Sequence, residues 1–367
     1  MARLPVRAAV LHAPGAPLEH RTLLLDEPLH GEVLVRTGAI GLCHSDLHYA
    51  DGTLPMDLPA VLGHEVAGVV ERVGPGVNRV KIGDRVVATV TPNCGSCPSC
   101  VAGHATLCER TMQRRYRDRP KLETEDGAPV SMLGGMGTFA EAFVLDEASL
   151  AVVPDAVSLN VACLLGCCIS TGVGAVTHGA RVGPRDTVAV IGCGGVGMAV
   201  VQAARMSGAQ RIIAIDLHPE KLLLAAEVGA TDVVVSGPAQ EVIDAVREIA
   251  PEGVTRSFEA VGRPETAELA FDLLAPRGIA TILGLMPAGK RISIDAGALI
   301  EGDRRIQGAY MGANQFLADV PLLVEQYERG VLDLRAMVTS VIPFSDINAG
   351  LQAMRSPGTI RTVVSFE

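Results

Sequence analysis

The sequence predicts an α/β chain: a doubly wound parallel sheet beside an irregular, β-rich domain. Three observations predict it. From about Leu159, helical apolar stretches alternate with short runs at 187–191, 211–215, 231–235, 256–260 and 279–284, the alternation of a parallel sheet wrapped by helices. Before that point the chain is rich in Val, Gly and Pro. Strand-like runs at 6–11, 32–37, 67–73 and 85–90 are set apart by the turn signals Gly74-Pro75-Gly76 and Gly83-Asp84. Across residues 187–216 a strand, a glycine-rich turn, a helix and a second strand follow without a break. A helix over 316–329 and β-like segments at 338–343 and 359–365 are expected to return to the first domain.

Bulk properties bound the function. With 367 residues there is room for two domains, each with its own core. Charged residues make up 20% and hydrophobic ones 48%, the balance of a folded globular chain. A net charge of −10 argues against nucleic acid or an anionic membrane as a main partner. The N-terminus has no apolar core of signal-peptide length, and no run of 18 apolar residues occurs. A cytoplasmic location is therefore expected. In a reducing compartment the nine cysteines read as ligands or buried thiols rather than disulfides. Aromatic content is 3% with no Trp, which predicts a mostly aliphatic core.

Residues 192–197, Gly-Cys-Gly-Gly-Val-Gly, fit G-x-G-x-x-G directly after a strand. Gly192 permits the tight turn, Gly194 lets backbone approach a pyrophosphate, and Gly197 lets helix pack on strand. Gly195 and Val196 open the helix, whose unpaired N–H groups and partial positive charge suit phosphate. Asp216 ends the second strand, 19 residues beyond Gly197. A carboxylate there accepts hydrogen bonds from the adenosine ribose and repels a 2′-phosphate, favouring NAD over NADP.

Cys94, Cys97, Cys100 and Cys108 crowd four thiols into 15 residues. Such a set can enclose one tetrahedral, structural Zn²⁺. Two local disulfides, or free thiols, are the alternatives, and disulfides suit a reducing compartment poorly. A second set is dispersed: Cys43 in GLCHSD, His64-Glu65 in GHE, and Cys167 in LLGCC. Two Cys and one His make a catalytic zinc site with an open fourth position. Taken singly, a buried Cys is commonly a small hydrophobe, and a lone His commonly a core residue. Spacing alone does not decide between these readings.

From GLCHSDLH through GHEVAGVVERVGPGV, the four-cysteine loop, LLGCCISTGVGA, VIGCGGVG and FEAVGR to SPGTIRT, the chain resembles the zinc-dependent alcohol dehydrogenases of the medium-chain dehydrogenase/reductase family, on their liver-type side. The resemblance covers nearly the whole chain. It implies a GroES-like catalytic domain over 1–168 and 312–367, interrupted by a Rossmann NAD-binding domain over 169–311. It implies two zinc ions per subunit: a catalytic one on Cys43, His64 and Cys167, and a structural one on Cys94, Cys97, Cys100 and Cys108. Glu65 would sit behind the catalytic metal and tune it. Ser45 would take the substrate proton and His48 would end the relay at solvent. Asp216 and Lys221 would hold the adenosine ribose, and His44 and Arg361 would face the pyrophosphate. The implied reaction is reversible hydride transfer between a primary or secondary alcohol and NAD, through an alkoxide formed at zinc. The register favours Cys167 over Cys168 as ligand, and Cys163, Cys168 and Cys193 read as buried thiols.

Some positions depart from the family pattern. His44 stands where many liver-type members carry Arg, a weaker and titratable phosphate partner. Val90 stands where an aromatic ring often lines the pocket, suggesting room for a bulky or branched alcohol. Leu54 and Met112 lack the acid and the Arg of the glutathione-dependent formaldehyde branch, which argues against a thiol-adduct substrate. The basic stretch 110–119 reads as a solvated loop, or more sharply as a collar for an anionic substrate. The long segment between Cys108 and Gly137 is that of dimeric members. A homodimer joined through edge strands around 285–307 is expected, with a tetramer as the alternative. Competing functions are a thiol-dependent formaldehyde dehydrogenase, an alcohol dehydrogenase with permanently bound NAD, and a non-catalytic protein binding zinc and NAD.

Overall fold

The computed structural model describes residues 3–111, 121–356 and 358–366. Met112 lies outside the described residues, as does all of the basic stretch 110–119 except Arg110 and Thr111. The chain divides into two compact units. One comprises Met1–Cys167, Gln315–Glu325 and Val338–Glu367; the other comprises Cys168–Asn314 and Gln326–Met337. The anticipated return segment 312–367 is thus divided, because residues 326–337 group with the second unit. A buried side chain explains this: Gln202 Oε1 accepts from the Asp333 N–H (2.7 Å) and its Nε2 donates to the Asp333 carbonyl (3.1 Å).

The first unit holds a small closed barrel. Its strands run in the order Arg3–Leu11, Glu19–Asp26, Leu122–Glu123, Pro129–Met132 and Ala60–Val61. A second sheet runs Leu150–Val152, Arg85–Ala88, Val66–Val73, Glu32–Gly41, Arg361–Ser365 and Val338–Pro343, with Ala142–Asp146 also pairing with Glu32–Gly41. The strand Glu32–Gly41 is the pivot. Val66–Val73 runs along one edge; Ala142–Asp146 takes the first half of the other edge and Arg361–Ser365 its end. Flanked in this way, Val33, Leu34, Val35 and Ile40 are fully buried, as an apolar run with partners on both edges should be. The run anticipated to Val90 stops at Ala88, where Thr89 Oγ1 accepts the Thr91 N–H (3.2 Å) and turns the chain.

The second unit is a six-stranded, wholly parallel sheet. Its order is Asp232–Val235, Arg211–Asp216, Thr187–Ile191, Val254–Glu259, Leu274–Ile282 and Arg305–Gly308. This is the doubly wound order 3-2-1-4-5-6, which reverses direction between the third and fourth strands in that list. Helices join the strands, and the helix Gly195–Met206 is buried along most of its length. The strand Leu274–Ile282 begins earlier than its sequence suggests. Pro276-Arg277-Gly278 reads as a turn but forms a bulge: Arg277 adopts φ +64° and its N–H reaches the Gly302 carbonyl (2.6 Å). The core is mostly aliphatic, with Phe139, Phe143, Phe258, Phe271 and Phe316 fully buried in it and Phe344 nearly so. Among the described residues no single helix is long and apolar enough to cross a membrane.

Candidate catalytic metal centre and dinucleotide loop

The chain leaves the pivot strand at Gly41 and enters the helix His44–Ala50, with Cys43 as its N-cap residue. Asp46, three residues on, turns back so that its Oδ2 accepts the Cys43 N–H (3.0 Å). Its Oδ1 accepts the Gly63 N–H (3.0 Å) and lies 3.1 Å from His64 Nδ1. One fully buried carboxylate thereby ties together the two segments that carry Cys43 and His64. With Nδ1–H directed at Asp46, the neutral imidazole of His64 would offer a lone pair on Nε2 once a metal displaced the proton held there.

Cys167 arrives from a third direction, at the junction between the 3₁₀ turn Cys163–Gly166 and the helix Cys168–Gly174. A side chain at position 166 would meet the Ala88 carbonyl at 2.4 Å. Only glycine lets this turn press against the strand Arg85–Ala88. The ligand atoms of Cys43, His64 and Cys167 lie within 4.8 Å of one another, and all three residues are buried. Cys168 is also buried but is not part of that group.

Electrostatics suit this set to a cation. The Cys167 hydrogen bond, helped by the Arg361 guanidinium, holds the Cys43 thiol well below the usual range against the cost of burial. Cys167 is pushed well above that range by the Cys43 sulfur and by burial. Burial disfavours charge on His64, but Asp46 outweighs it and raises the imidazole well above its ordinary value. Two thiols and one imidazole in a dry pocket fit Zn²⁺, and three protein ligands leave a fourth position for substrate.

Arg361 and Glu65 complete this neighbourhood. The strand Arg361–Ser365 pairs with the end of the pivot strand, Val363 opposite Gly41. Arg361 Nη1 therefore donates to the Leu42 carbonyl (3.0 Å), and Nη2 lies 3.4 Å from Glu65 Oε2 and 3.9 Å from Cys43 Sγ. The Arg361 and Glu65 side chains are 3% and 0% exposed, so their charges are balanced within the protein. Ser45 Oγ lies 3.4 Å from Cys43 Sγ. His48 is half-buried one turn further along the same helix, and His44 is exposed.

The four-cysteine loop closes on itself as its spacing suggests. Cys94, Cys97, Cys100 and Cys108 present sulfurs within 4.8 Å of one another. The Ser96 N–H (3.4 Å) and Cys97 N–H (3.2 Å) both donate to Cys94 Sγ. Those bonds bring the Cys94 thiol down to about 5, while burial and neighbouring sulfurs push Cys100 up to about 12. Four sulfurs that cannot all ionise alone form a donor set that a divalent ion completes.

The dinucleotide loop lies wholly within the second unit. Gly192 has φ +90°, and a Cβ there would strike Val261 Cγ2 at 2.5 Å. A Cβ on Gly197 would lie 1.8 Å from the Gly192 carbonyl. A Cβ on Gly194 would meet nothing within 4 Å, so that face of the loop is open, as a pyrophosphate cradle requires. Gly194 caps the helix that begins Gly195-Val196-Gly197. Asp216 ends the adjacent strand; its Oδ2 accepts the Cys193 N–H (2.7 Å) and its Oδ1 the His218 N–H (2.9 Å). Lys221 lies in the helix Pro219–Val228 that follows. Burial raises the Cys193 thiol to about 12, so this cysteine stays protonated and inert.

Known proteins share this architecture. Residues 29–155 match the alcohol dehydrogenase GroES-like domain and residues 195–325 the zinc-binding dehydrogenase domain. An alcohol dehydrogenase zinc-binding domain protein from Burkholderia ambifaria is 35% identical, with both chains covered over 100% and a TM-score of 0.94. The benzyl alcohol dehydrogenase of Acinetobacter calcoaceticus is 31% identical over 99% of this chain and 100% of its own, with a TM-score of 0.91. The chain belongs to the zinc-dependent alcohol dehydrogenases of the medium-chain dehydrogenase/reductase family. A third relative in structure, the alcohol dehydrogenase TADH from Thermus sp. ATN1, is 26% identical over 98% of this chain and 99% of its own, with a TM-score of 0.81.

Membership makes this an oxidoreductase of the alcohol dehydrogenase type, with a GroES-like domain and a Rossmann domain. Within that dehydrogenase frame, sequence reasoning missed Asp46. Its signal was present: an acid three residues after Cys43 is placed to cap the following helix. It also missed the Arg361–Glu65 pair, which joins residues 296 positions apart and left no local trace.

Proposed function

We propose that this dehydrogenase interconverts an alcohol and its aldehyde or ketone with NAD, holding one catalytic and one structural zinc ion per chain. The observation that carries the reading is the convergence of Cys43, His64 and Cys167 within 4.8 Å beside Ser45. Held by Cys43, His64 and Cys167, zinc would supply Lewis acidity for an alcohol oxygen, and NAD would supply the hydride acceptor. The chain's own residues do the rest. Asp46 orients His64 and Arg361 neutralises Glu65, so the ligand set keeps its shape. Ser45 takes the hydroxyl proton, and His48, one turn further along the same helix, delivers it to solvent. The liver-type likeness and the roles of His44, Lys221 and Arg361 toward the coenzyme belong to the same proposal.

Coenzyme choice follows from Asp216. Two backbone N–H groups hold its carboxylate rigidly at the strand end. A fixed negative charge there disfavours the 2′-phosphate of NADP and accepts ribose hydroxyls of NAD. Val90 in place of an aromatic ring favours a bulky or branched alcohol. The benzyl alcohol activity named for the Acinetobacter relative accords with that.

Zinc quantification with a panel of aliphatic, allylic and benzylic alcohols tests the reading. Two zinc ions per chain and NAD-dependent turnover of a bulky primary alcohol are expected. Cys43→Ser should retain one zinc and bind NADH, but lose turnover. Wild-type turnover in a Cys43→Ser protein holding a single zinc would overturn the proposal. Assays with and without added thiol, and a search for NAD released on denaturation, distinguish the thiol-dependent and permanently loaded variants.

A further inference from the structure

Glu259 is buried beside the dinucleotide loop and is not part of the chemistry above. It ends the strand Val254–Glu259 and pairs with Ile191, the residue immediately before Gly192. The sheet order reverses between these two strands, which is where ligands lodge in folds of this kind. The side chain is 0% exposed. Its Oε1 accepts three donors from the segment that follows: the Val261 N–H (2.9 Å), the Gly262 N–H (2.7 Å) and Thr266 Oγ1 (2.7 Å). Its Oε2 is buried and takes no hydrogen bond among the described residues.

Close backbone contacts radiate from this carboxylate. Val261, held through its N–H, packs its side chain on Gly192, where a Cβ would lie 2.5 Å from it. Gly284, whose N–H reaches the Glu259 carbonyl (3.1 Å), packs so closely that a Cβ would lie 2.1 Å from Gly262 N and 2.7 Å from Glu259 Oε2. Three loops at the C-terminal edge of the sheet are thus interlocked around one acid: the glycine-rich loop at 192, the turn at 260–262 and the segment at 283–285. A neutral side chain would pack more cheaply, because one oxygen of this one is desolvated without a partner. What the carboxylate adds is a charge-strengthened grip on two peptide N–H groups and a hydroxyl.

We infer that Glu259 is a positioning residue of the coenzyme site, fixing the loops that meet NAD without touching it. This rests on the coenzyme reading given above. The test is NADH fluorescence titration of the zinc-loaded protein, alongside KM for alcohol at saturating coenzyme, for the wild type, Glu259→Gln and Glu259→Leu. Leucine removes the acceptor, and the NADH dissociation constant should rise about tenfold; glutamine keeps an oxygen for the three donors and should recover most of that loss. KM for alcohol at saturating coenzyme should stay unchanged. If both variants bound NADH as tightly as wild type and differed only in melting temperature, Glu259 would be a packing residue and the inference would fail. Should the leucine variant not fold, the glutamine variant decides: a rise of about threefold supports the inference and unchanged affinity overturns it. A wild-type protein that bound no NADH would remove the coenzyme reading itself, and the inference with it.

Discussion

At the scale of single residues, one buried carboxylate, Asp46, braces the candidate metal site. Asp46 receives the Cys43 N–H, the Gly63 N–H and His64 Nδ1. Asp46→Asn replaces one acceptor oxygen with an amide donor and leaves at least one of these groups unpaired. Second-sphere losses of this kind cost roughly 10–100-fold in metal affinity. Competition with a zinc chelator should therefore strip one zinc ion per chain from Asp46→Asn well before it does so from wild type; equal resistance would reduce Asp46 to a helix cap. Under the proposed function Asp216 would act on the coenzyme by a similar logic. Asp216→Gly removes the fixed charge at the ribose and the acceptor for the Cys193 N–H. Its NAD over NADP preference in kcat/KM should fall by about tenfold or more. A ratio that did not move would place ribose recognition elsewhere. The ligand residues themselves were visible as residue types, but their grouping depended on a family likeness. Cys43 and Cys167 stand 124 positions apart, and no periodicity links them.

The strand, glycine-rich turn and helix form an element whose glycines divide into two physical kinds. Gly197 is steric: a methyl there would lie 1.8 Å from the Gly192 carbonyl. Gly194 faces open space, and its backbone is extended at φ −79°, ψ −167°, which alanine adopts freely. Gly197→Ala should lower the melting temperature by several degrees, as a forced backbone shift does. Gly194→Ala should melt like wild type yet bind NADH about tenfold more weakly, because its methyl occupies the cradle. Paired calorimetry and NADH titration separate the two. If both variants kept wild-type affinity, this loop would not be the phosphate cradle. The steric role of Gly197 was legible in advance because strand, turn and helix are contiguous, and local packing dictates where a side chain has no room. The bulge at Arg277 was not legible. Pro-Arg-Gly ordinarily breaks a strand, and only pairing with Val254–Glu259 and the bond to Gly302 carries the strand through it.

For the whole molecule, a homodimer is the proposal. The strand Arg305–Gly308 is the last of the parallel sheet and leaves one edge of it unpaired among the described residues. Leu285, Ile292, Leu299 and Ile300, all within the neighbouring segment 285–307, are exposed. Edge-to-edge pairing about a two-fold axis would cover both the edge and the apolar side chains. Light scattering coupled to size exclusion should give twice the 38.2 kDa chain mass, and an Ile300→Glu change should shift the protein toward monomer. A monomer at every concentration would overturn the dimer, and an Ile300→Glu protein that kept the wild-type mass would place the interface elsewhere.

Several features were decided along the chain itself: the strand–helix units from which the parallel sheet is built, the glycine-rich turn with its terminal acid, and the four-cysteine loop. Each is local. Its parts lie within some thirty residues, so steric and capping rules acting on neighbours suffice to specify it. Tertiary structure alone decided the rest. It gathered Cys43, His64 and Cys167 around one point, seated Arg361 against Glu65, and moved residues 326–337 to the second unit through Gln202. It also buried Glu259 at the junction of three loops. These arrangements join residues far apart along the chain. They exist because buried charges and polar groups must find partners inside the fold, and no local pattern says which partner the fold will bring.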